Sequence, residues 1–361
     1  MKTKLVYVLT CAPDDHYIEQ ALMSVWSARH WNPDAYIVLI TDNLTDKLFV
    51  GKRAEILEYI SQKIVVPFDD DSLSMVYRSR WLKTSVRQLV DGDFLFIDCD
   101  TIVCKSLEEV DGFCFEAGAV PEAMLPVSDF CQELLDLAVK RCVDIGVNLL
   151  KEEYYYCSGV IYAKDTPIVH KLYELWHKYW KQSYSIQMFA DQPGLCKADI
   201  ECGHLIQRIS DTYDVIAYTH NKLYPESHIL HILSHRNASY LGSKRIFAYV
   251  RKNGLTNAWL QNSILHPECT FFPFNNEIYT SSARDRRMWA RQIAEYAKGY
   301  GQFIDSSFLD VKVPSRFHCI IHQCFFRKHY DLGAWLWLTW SYYHLHYKHF
   351  KNYENTCQKV T

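Results

Sequence analysis

The stretch Phe94-Leu95-Phe96-Ile97-Asp98-Cys99-Asp100 decides the fold. Its four apolar residues read as a strand buried on both faces, the pattern of a parallel sheet. Side chains alternate along a strand, so Asp98 and Asp100 are expected to project to one side where the strand ends. Two carboxylates there can supply oxygen ligands to a divalent cation. Open α/β sheets bind ligands at the carboxyl edge of their strands. A Mg²⁺ or Mn²⁺ held there would grip a diphosphate, so the stretch reads as a nucleotide-sugar site. Asp-x-Asp also occurs at Asp69/Asp71 and Asp91/Asp93. The first follows Pro67-Phe68 in an acidic loop, and the second is Asp-Gly-Asp, a turn signal. Only the third ends a buried strand. On its own it could equally open a loop or cap a helix.

Working outward, strand and helix patterns alternate. Leu5 to Leu9, Tyr36 to Ile40, Ile64 to Val66 and Phe94 to Ile97 read as strands. Tyr17 to Trp31, Ala54 to Ile60 and Tyr77 to Val90 read as helices between them. Such alternation implies a mostly parallel sheet with right-handed crossovers. Further on, Leu134 to Leu150 and Ile168 to Lys181 read as helices. Gly159 to Tyr162 reads as a strand, and Ile229 to Leu233 as the last strand of this fold. From about Arg245 the character changes, and Asp285 to Ala297 looks helical. The sequence therefore predicts a catalytic domain over 1–245 and a helical, aromatic and basic region over 246–361.

Bulk composition narrows the classes. The 361 residues are 49% hydrophobic, ample for a core, and carry 39 basic against 42 acidic side chains. A net charge of −3 gives no global field for nucleic acid. Thirteen cysteines, an odd number without a Cys-x-x-Cys pair, fit buried thiols such as Cys114, Cys142 and Cys157 in a reducing cytosol. Leu5 to Leu9 is too short for a signal peptide and reads as the first strand. No apolar run is long enough to span a bilayer.

Four further places could carry chemistry. Thr10-Cys11-Ala12-Pro13-Asp14-Asp15-His16-Tyr17 follows the first strand; it could bind a base and ribose, or an Asp there could cap the next helix. Arg78, Arg80 and Lys83 precede the metal strand, with Arg80 and Lys83 on one helix face. They could meet donor hydroxyls or phosphate, or form a solvated basic face. Asp191-Gln192-Pro193 could orient sugar hydroxyls, or make a capping turn with Pro193 in the first helical turn. His231 could be a third metal ligand, or a hydrogen-bonded core histidine.

In this order the motifs resemble family 8 glycosyltransferases, retaining enzymes that include lipooligosaccharide galactosyltransferases and glycogenin. The resemblance spans roughly residues 4 to 236. Asp14-Asp15-His16-Tyr17 is similar to the family's Asp-Asp-Asn-Tyr turn, Arg80 to its helix arginine, and Asp98-Cys99-Asp100 to its Asp-x-Asp. Glu153-Tyr154-Tyr155-Tyr156-Cys157-Ser158-Gly159-Val160 is similar to its Tyr-Phe-Asn-Ala-Gly-Val strand. Asp191-Gln192 and Ile229-Leu230-His231 match its Asp-Gln pair and histidine strand. His16 and Cys157 replace asparagines. The family's Gly-x-x-Lys-Pro-Trp is replaced by Ser234-His235-Arg236-Asn237, leaving Arg236, Lys244 or Arg245 to meet the diphosphate.

The resemblance implies a GT-A type α/β fold with a helical C-terminal region, and hexose transfer from a UDP-sugar to a saccharide or glycolipid acceptor, with retention. It implies Asp98, Asp100 and His231 as ligands of Mn²⁺ or Mg²⁺. Arg80, Asp191 and Gln192 become the catalytic set. Thr10, Cys11, Asp14, Asp15, His16, Tyr17, Lys83, Asp98, Cys99 and Ser158 become the donor-binding set. A sugar nucleotidyltransferase is the main rival, but Thr10-Cys11-Ala12-Pro13 lacks the glycines its phosphate loop would need. A non-catalytic carbohydrate- or membrane-associated protein on the same fold is the other. Arg316 to Lys351 carries six histidines, five Lys or Arg and one acid, Asp331, among its aromatics. It reads as an interfacial segment, an aromatic helix packed on the catalytic domain or a dimer contact. The expected location is the cytoplasm, at the inner face of a membrane.

Overall fold

A computed structural model describes residues 1–70, 72–216, 226–232 and 244–265, with short pieces at 267, 287, 290, 320, 323–324, 327, 329, 331–336 and 339. The chain divides into two compact units. The first comprises Met1–Val215, Leu223–His231 and Phe247–Gly254; the second comprises Ile216–Lys222, Ile232–Ile246 and Leu255–Thr361. Arg236 and the side chains of Lys244 and Arg245 lie outside the described residues, as do 285–297 except Arg287 and Ala290, and most of 316–351.

The first unit alternates strand and helix. It begins with β1 (Lys4–Leu9), α1 (Tyr17–Trp31), β2 (Ile37–Asp42), α2 (Asn43–Asp46) and β3 (Gln62–Val66). Next come α3 (Met75–Thr84), α4 (Val86–Leu89), β4 (Phe94–Ile97), β5 (Thr101–Val103) and β6 (Ala117–Pro121). Then follow α5 (Gln132–Val143), β7 (Tyr156–Ala163), α6 (Pro167–Ser185), α7 (Gln192–Glu201), β8 (Ile206–Arg208), β9 (Val215–Ile216) and β10 (Ile229–His231). The chain continues in α8 (Lys244–Asn253) and α9 (Ala258–Leu265). Among the described residues a seven-stranded sheet has the order β3-β2-β1-β4-β7-β6-β8. β7 alone runs against its neighbours β4 and β6; the other pairings are parallel. This is the mostly parallel α/β sheet the sequence predicts. All four residues of β4 are buried, as the apolar run requires.

Several sequence expectations shift. β4 stops at Ile97, so Asp98 and Asp100 lie in the turn to β5 rather than on an alternating strand. The helix expected over Tyr77 to Val90 is broken at Ser85, whose carbonyl leaves the first helix and accepts from Gln88 N at 3.0 Å. The helix expected to reach Leu150 ends at Val143, where Gly146 takes φ +78° and turns the chain. Residues Gly51–Glu58 form a 3₁₀ run in place of an α-helix. The strand expected over Ile229 to Leu233 is β10, which ends at His231. It joins a second sheet of order β5-β10-β9, pairing antiparallel with β5. Cys142 is buried as expected, but Cys114 is exposed and Cys157 half-buried. No disulfide joins any of the described cysteines.

Helix α7 lies close to α6. A Cβ on Gly194 would stand 2.9 Å from the backbone nitrogen of Trp180, so only glycine lets the helices approach this far. The Trp176 indole N–H donates to the Asp191 carbonyl at 2.9 Å, fixing where α7 begins. That start matters, because α7 carries Gln192 into the site from its first turn, with Pro193 beside it.

Candidate active site

The site is assembled by two pairings. Antiparallel pairing of β10 with β5 sets His231 opposite Thr101, the residue after Asp100. Pairing of β4 with β7 continues one step past the strand: Asp98 N donates to the Gly159 carbonyl at 2.8 Å. The imidazole of His231 then reaches Asp100 Oδ1 from Nε2 at 3.1 Å, and Asp214 Oδ1 from Nδ1 at 2.8 Å. One ligand atom from each of Asp98, Asp100 and His231 lies within 4.8 Å of the others. Two carboxylates and an imidazole form a donor set that could hold a divalent metal ion. Asp214 holds the far nitrogen of the ring, the usual arrangement for a metal-ligating histidine. His228, three residues earlier, stacks on Tyr213 at 4.9 Å and pairs with Glu109 at 3.3 Å, outside this cluster.

Beside the cluster lies a buried charge network. Lys83 is 2% exposed, and its ammonium donates to both oxygens of Asp98 at 3.0 Å and to Ser158 Oγ at 3.2 Å. It also lies 3.5 Å from Asp191 Oδ2, while Arg80 Nε stands 3.6 Å from Asp191 Oδ1. Ser158 in turn donates to Asp191 at 3.1 Å. Burial pushes the Asp191 carboxyl up, but Lys83 and Arg80 overcome it and hold it down at about 2. Asp191 mainly raises Arg80, against burial. For Lys83, burial opposes the charge, and Asp191 and Asp98 together outweigh it. Burial raises Asp98, and Lys83 opposes that rise. Asp100 feels the same burial, yet His231 brings it to about 2. His231 also resists burial and is raised, because Asp100 and Asp214 flank it.

The turn after β1 is held from inside. The Asp15 carboxylate accepts from Ala12 N at 2.6 Å, from Tyr17 N at 3.1 Å and from Cys11 Sγ at 2.7 Å. The alternative read from the sequence, an Asp capping the next helix, is not met: the N-cap of α1 is His16, with no side-chain cap hydrogen bond, and Asp15 closes a local turn instead. Asp14 and Tyr17 are exposed, while Thr10 is buried and reaches the Met75 carbonyl at 3.5 Å. Cys99 points back from the Asp98–Asp100 turn and donates to the Val8 carbonyl at 3.2 Å. Arg78 is not on a solvated face or in the site. It is buried against Asp42 at 2.9 Å.

Sequence reasoning missed several contributors. Glu122, directly after β6, accepts from Gln192 Nε2 at 2.7 Å. Burial raises its carboxyl, partly offset by that amide. Its signal was available: an acid closing the apolar run Ala117 to Pro121, as Asp98 closes β4. Ala123 and Met124 follow with φ of 55° and 59°, a left-handed pair that costs on the order of 1–3 kcal/mol per residue and is tolerated where its surroundings fix it. Glu19, 1% exposed, accepts from Arg53 at 2.7 Å and from Arg251 at 2.9 Å. Both guanidiniums also donate to the Asp15 carbonyl, and Arg251 reaches His16 Nδ1 at 3.2 Å. Nothing in the local sequence marks Arg251 or Asp214.

No protein-family model and no curated protein matches the chain. Among solved structures it is similar to the bifunctional glycosyltransferase WbbM, with 13% identity over 74% of this chain and a TM-score of 0.47. It spans 51%, about half, of that structure's length. It is also similar to the galactosyltransferase LgtC in complex with donor and acceptor sugar analogues, at 13% identity, 72% of this chain, 99% of that one and a TM-score of 0.46. Mouse xyloside xylosyltransferase 1 is similar at 13% identity, 64% of this chain, 97% of that one and a TM-score of 0.42.

One glycine controls the cluster. A Cβ on Gly159 would stand 2.7 Å from His231 Cε1, 2.9 Å from its Nδ1 and 3.1 Å from Asp214 Oδ2. Gly159→Ala must therefore displace the ring from Asp214. We expect a stability loss of roughly 1–3 kcal/mol by chemical denaturation, typical of overpacking, together with weaker Mn²⁺ binding by titration calorimetry. A variant matching the parent in both would show that the ring position is not set by this contact.

Proposed function

We propose that the chain is a GT-A type glycosyltransferase, transferring a hexose from a UDP-sugar to a saccharide acceptor with retention. The observation that carries this reading is the convergence of Asp98, Asp100 and His231 at the carboxyl edge of β4, joined through Lys83 to Asp191. The three residues fit a divalent cation in donor type and spacing. When bound, such an ion would neutralise charge on the departing diphosphate. The protein's own groups do the rest. Asp191, held ionised, and Arg80 present a charged pair to donor hydroxyls. Lys83, with a cationic head and no path to solvent, holds Asp98 and Asp191 in fixed relation before substrate arrives, so little reorganisation remains at the reacting centre. The turn Asp14 to Tyr17, clamped by Arg53 and Arg251, is the candidate base and ribose site.

Retention by two displacements needs a carboxylate nucleophile at the anomeric carbon. In this reading Gln192, a carboxamide, faces that carbon, and Glu122 serves as its hydrogen-bond partner. Front-face attack follows, with a donor phosphate oxygen taking the acceptor proton. UDP-sugar turnover with Mn²⁺ and with EDTA tests the reading. Asp98→Ala/Asp100→Ala should lower turnover at least about a hundredfold through lost charge stabilisation. His231→Ala should weaken Mn²⁺ binding, and His228→Ala should leave it near the parent value. Full turnover by the folded double variant in EDTA would exclude the mechanism.

The same proposal places the enzyme at an anionic membrane surface on the cytoplasmic side, by way of 316–351. Its support is the composition of that segment and the exposure of Leu332 and Trp335, each about half exposed. No helix among the described residues is long and apolar enough to cross a membrane. A truncation ending at Ser315 should lose binding to phosphatidylglycerol vesicles at low salt in co-sedimentation. Equal binding by the full chain and the truncation would remove the segment from this role.

A further inference from the structure

The turn after β1 is gripped by two guanidiniums where its buried acid needs one. Glu19, in the first turn of α1, is 1% exposed and accepts from Arg53 Nε at 2.7 Å and Arg251 Nε at 2.9 Å. Each arginine also reaches its second oxygen, at 3.3 Å and 3.2 Å. Burial pushes the Glu19 carboxyl up, and Arg251 and Arg53 bring it below its ordinary value. One guanidinium already balances this carboxylate, and Arg53, with a side chain 9% exposed, is the buried partner. Arg251, 32% exposed, is a second cation on the same acid. Its remaining contacts show what it adds. Nη2 donates to the Asp15 carbonyl and to His16 Nδ1, the latter at 3.2 Å. A guanidinium only donates, so this ring nitrogen carries no proton and the His16 tautomer is fixed.

Arg251 reaches the turn from α8, beyond residue 245 and beyond the stretch that carries the family resemblance. The helix is seated closely. Phe247, 3% exposed, lies with its ring centroid 5.4 Å from that of His16. Val250 is fully buried. Gly254 ends the helix at φ +68°, and its N–H donates to the Val250 carbonyl at 2.7 Å. A Cβ at Gly254 would run into the Glu55 carboxylate, so glycine lets the helix end come this close. Phe247–Gly254 accordingly belongs with the first compact unit.

The planar fork of an arginine can hold a carboxylate, a carbonyl and a ring nitrogen at once, which a single ammonium cannot do. Holding them removes freedom from a turn whose Pro13 and Asp14 are exposed. A turn ordered in advance binds more tightly, because less ordering is left for the ligand to impose. We propose that Arg251 is a positioning residue of the donor nucleotide site: it fixes the Asp15 peptide and the His16 ring so that a uridine meets a preformed turn, and donor binding therefore requires the helix beyond residue 245. This deepens the transferase reading and rests on it for the identity of the nucleotide.

Calorimetry on the full chain tests the role, with uridine alone, UDP with Mn²⁺, and Mn²⁺ alone as probes, and chemical denaturation as the measure of stability. The parent should bind all of them. Arg251→Ala should weaken uridine and UDP about tenfold or more, the scale of a lost charged hydrogen bond, and leave Mn²⁺ binding near the parent value. Low-millimolar guanidinium chloride should restore UDP affinity to Arg251→Ala and leave the parent unchanged. Arg251→Lys should stay weak. Arg251→Ala equal to the parent for uridine and UDP would overturn the role and leave the transferase reading standing. Joint weakening of uridine, UDP and Mn²⁺, with lowered stability and no recovery in guanidinium, would make Arg251 a structural ion pair and also overturn the role. The expected nucleotide losses in a chain that turns over no UDP-sugar would support the role and overturn the transferase reading. A parent that binds neither uridine nor UDP would overturn both.

Discussion

The Lys83 ammonium is the interaction on which the site depends. It projects from α3, holds Asp98 after β4, touches Ser158 on β7 and stands near Asp191 before α7. Four elements are thereby fixed around one buried cation. An unpartnered buried ammonium would be strongly disfavoured, so removing either carboxylate exposes the cost of the whole network. Phe96 closes the arrangement from below, its ring centroid 5.1 Å from the ammonium. Burial opposes every charge here; for Lys83, Arg80 and Asp191 the facing opposite charges outweigh it, while for Asp98 burial remains the larger effect.

This constraint explains why the candidate metal cluster is preformed. Asp98 is turned by Lys83, Asp100 by His231, and His231 by Asp214. No member is oriented by solvent alone. The opposing directions of Asp98 and Asp100 follow from the same geometry, since the first is dominated by burial and the second by its imidazole partner. Gly159 and Gly194 are the two places where backbone had to pass closely for these side chains to meet.

The sheet was legible in the sequence because its strands are short apolar runs separated by amphipathic helices. Phe94 to Ile97 is buried throughout, and α1 spans Tyr17–Trp31 as its spacing predicts. Helix ends were less legible, because Ser85 and Gly146 break patterns whose apolar periodicity continues past them. β5 has three residues and β9 two, too few for a period to declare itself. The Asp98, Asp100 and His231 grouping was visible as motif and order, although the reason the aspartates converge is the turn and the β5–β10 pairing, not strand alternation. Asp214 and Arg251 were not found, since their roles come from contacts between residues far apart in sequence; Glu122 was overlooked although it closes the apolar run Ala117 to Pro121 as Asp98 closes β4. Lys83 was named, but its burial was not, because a lysine on a helix reads as solvated until its two carboxylate partners are placed.

The central claim is that Asp98, Asp100 and His231 hold a divalent cation. Anomalous diffraction at the manganese edge, from crystals grown with Mn²⁺ and UDP, tests it most directly. The account predicts a peak among Asp98, Asp100 and His231, with the His231 ring still held by Asp214. A peak at another set of ligands, with Lys83 alone on Asp98, would contradict it.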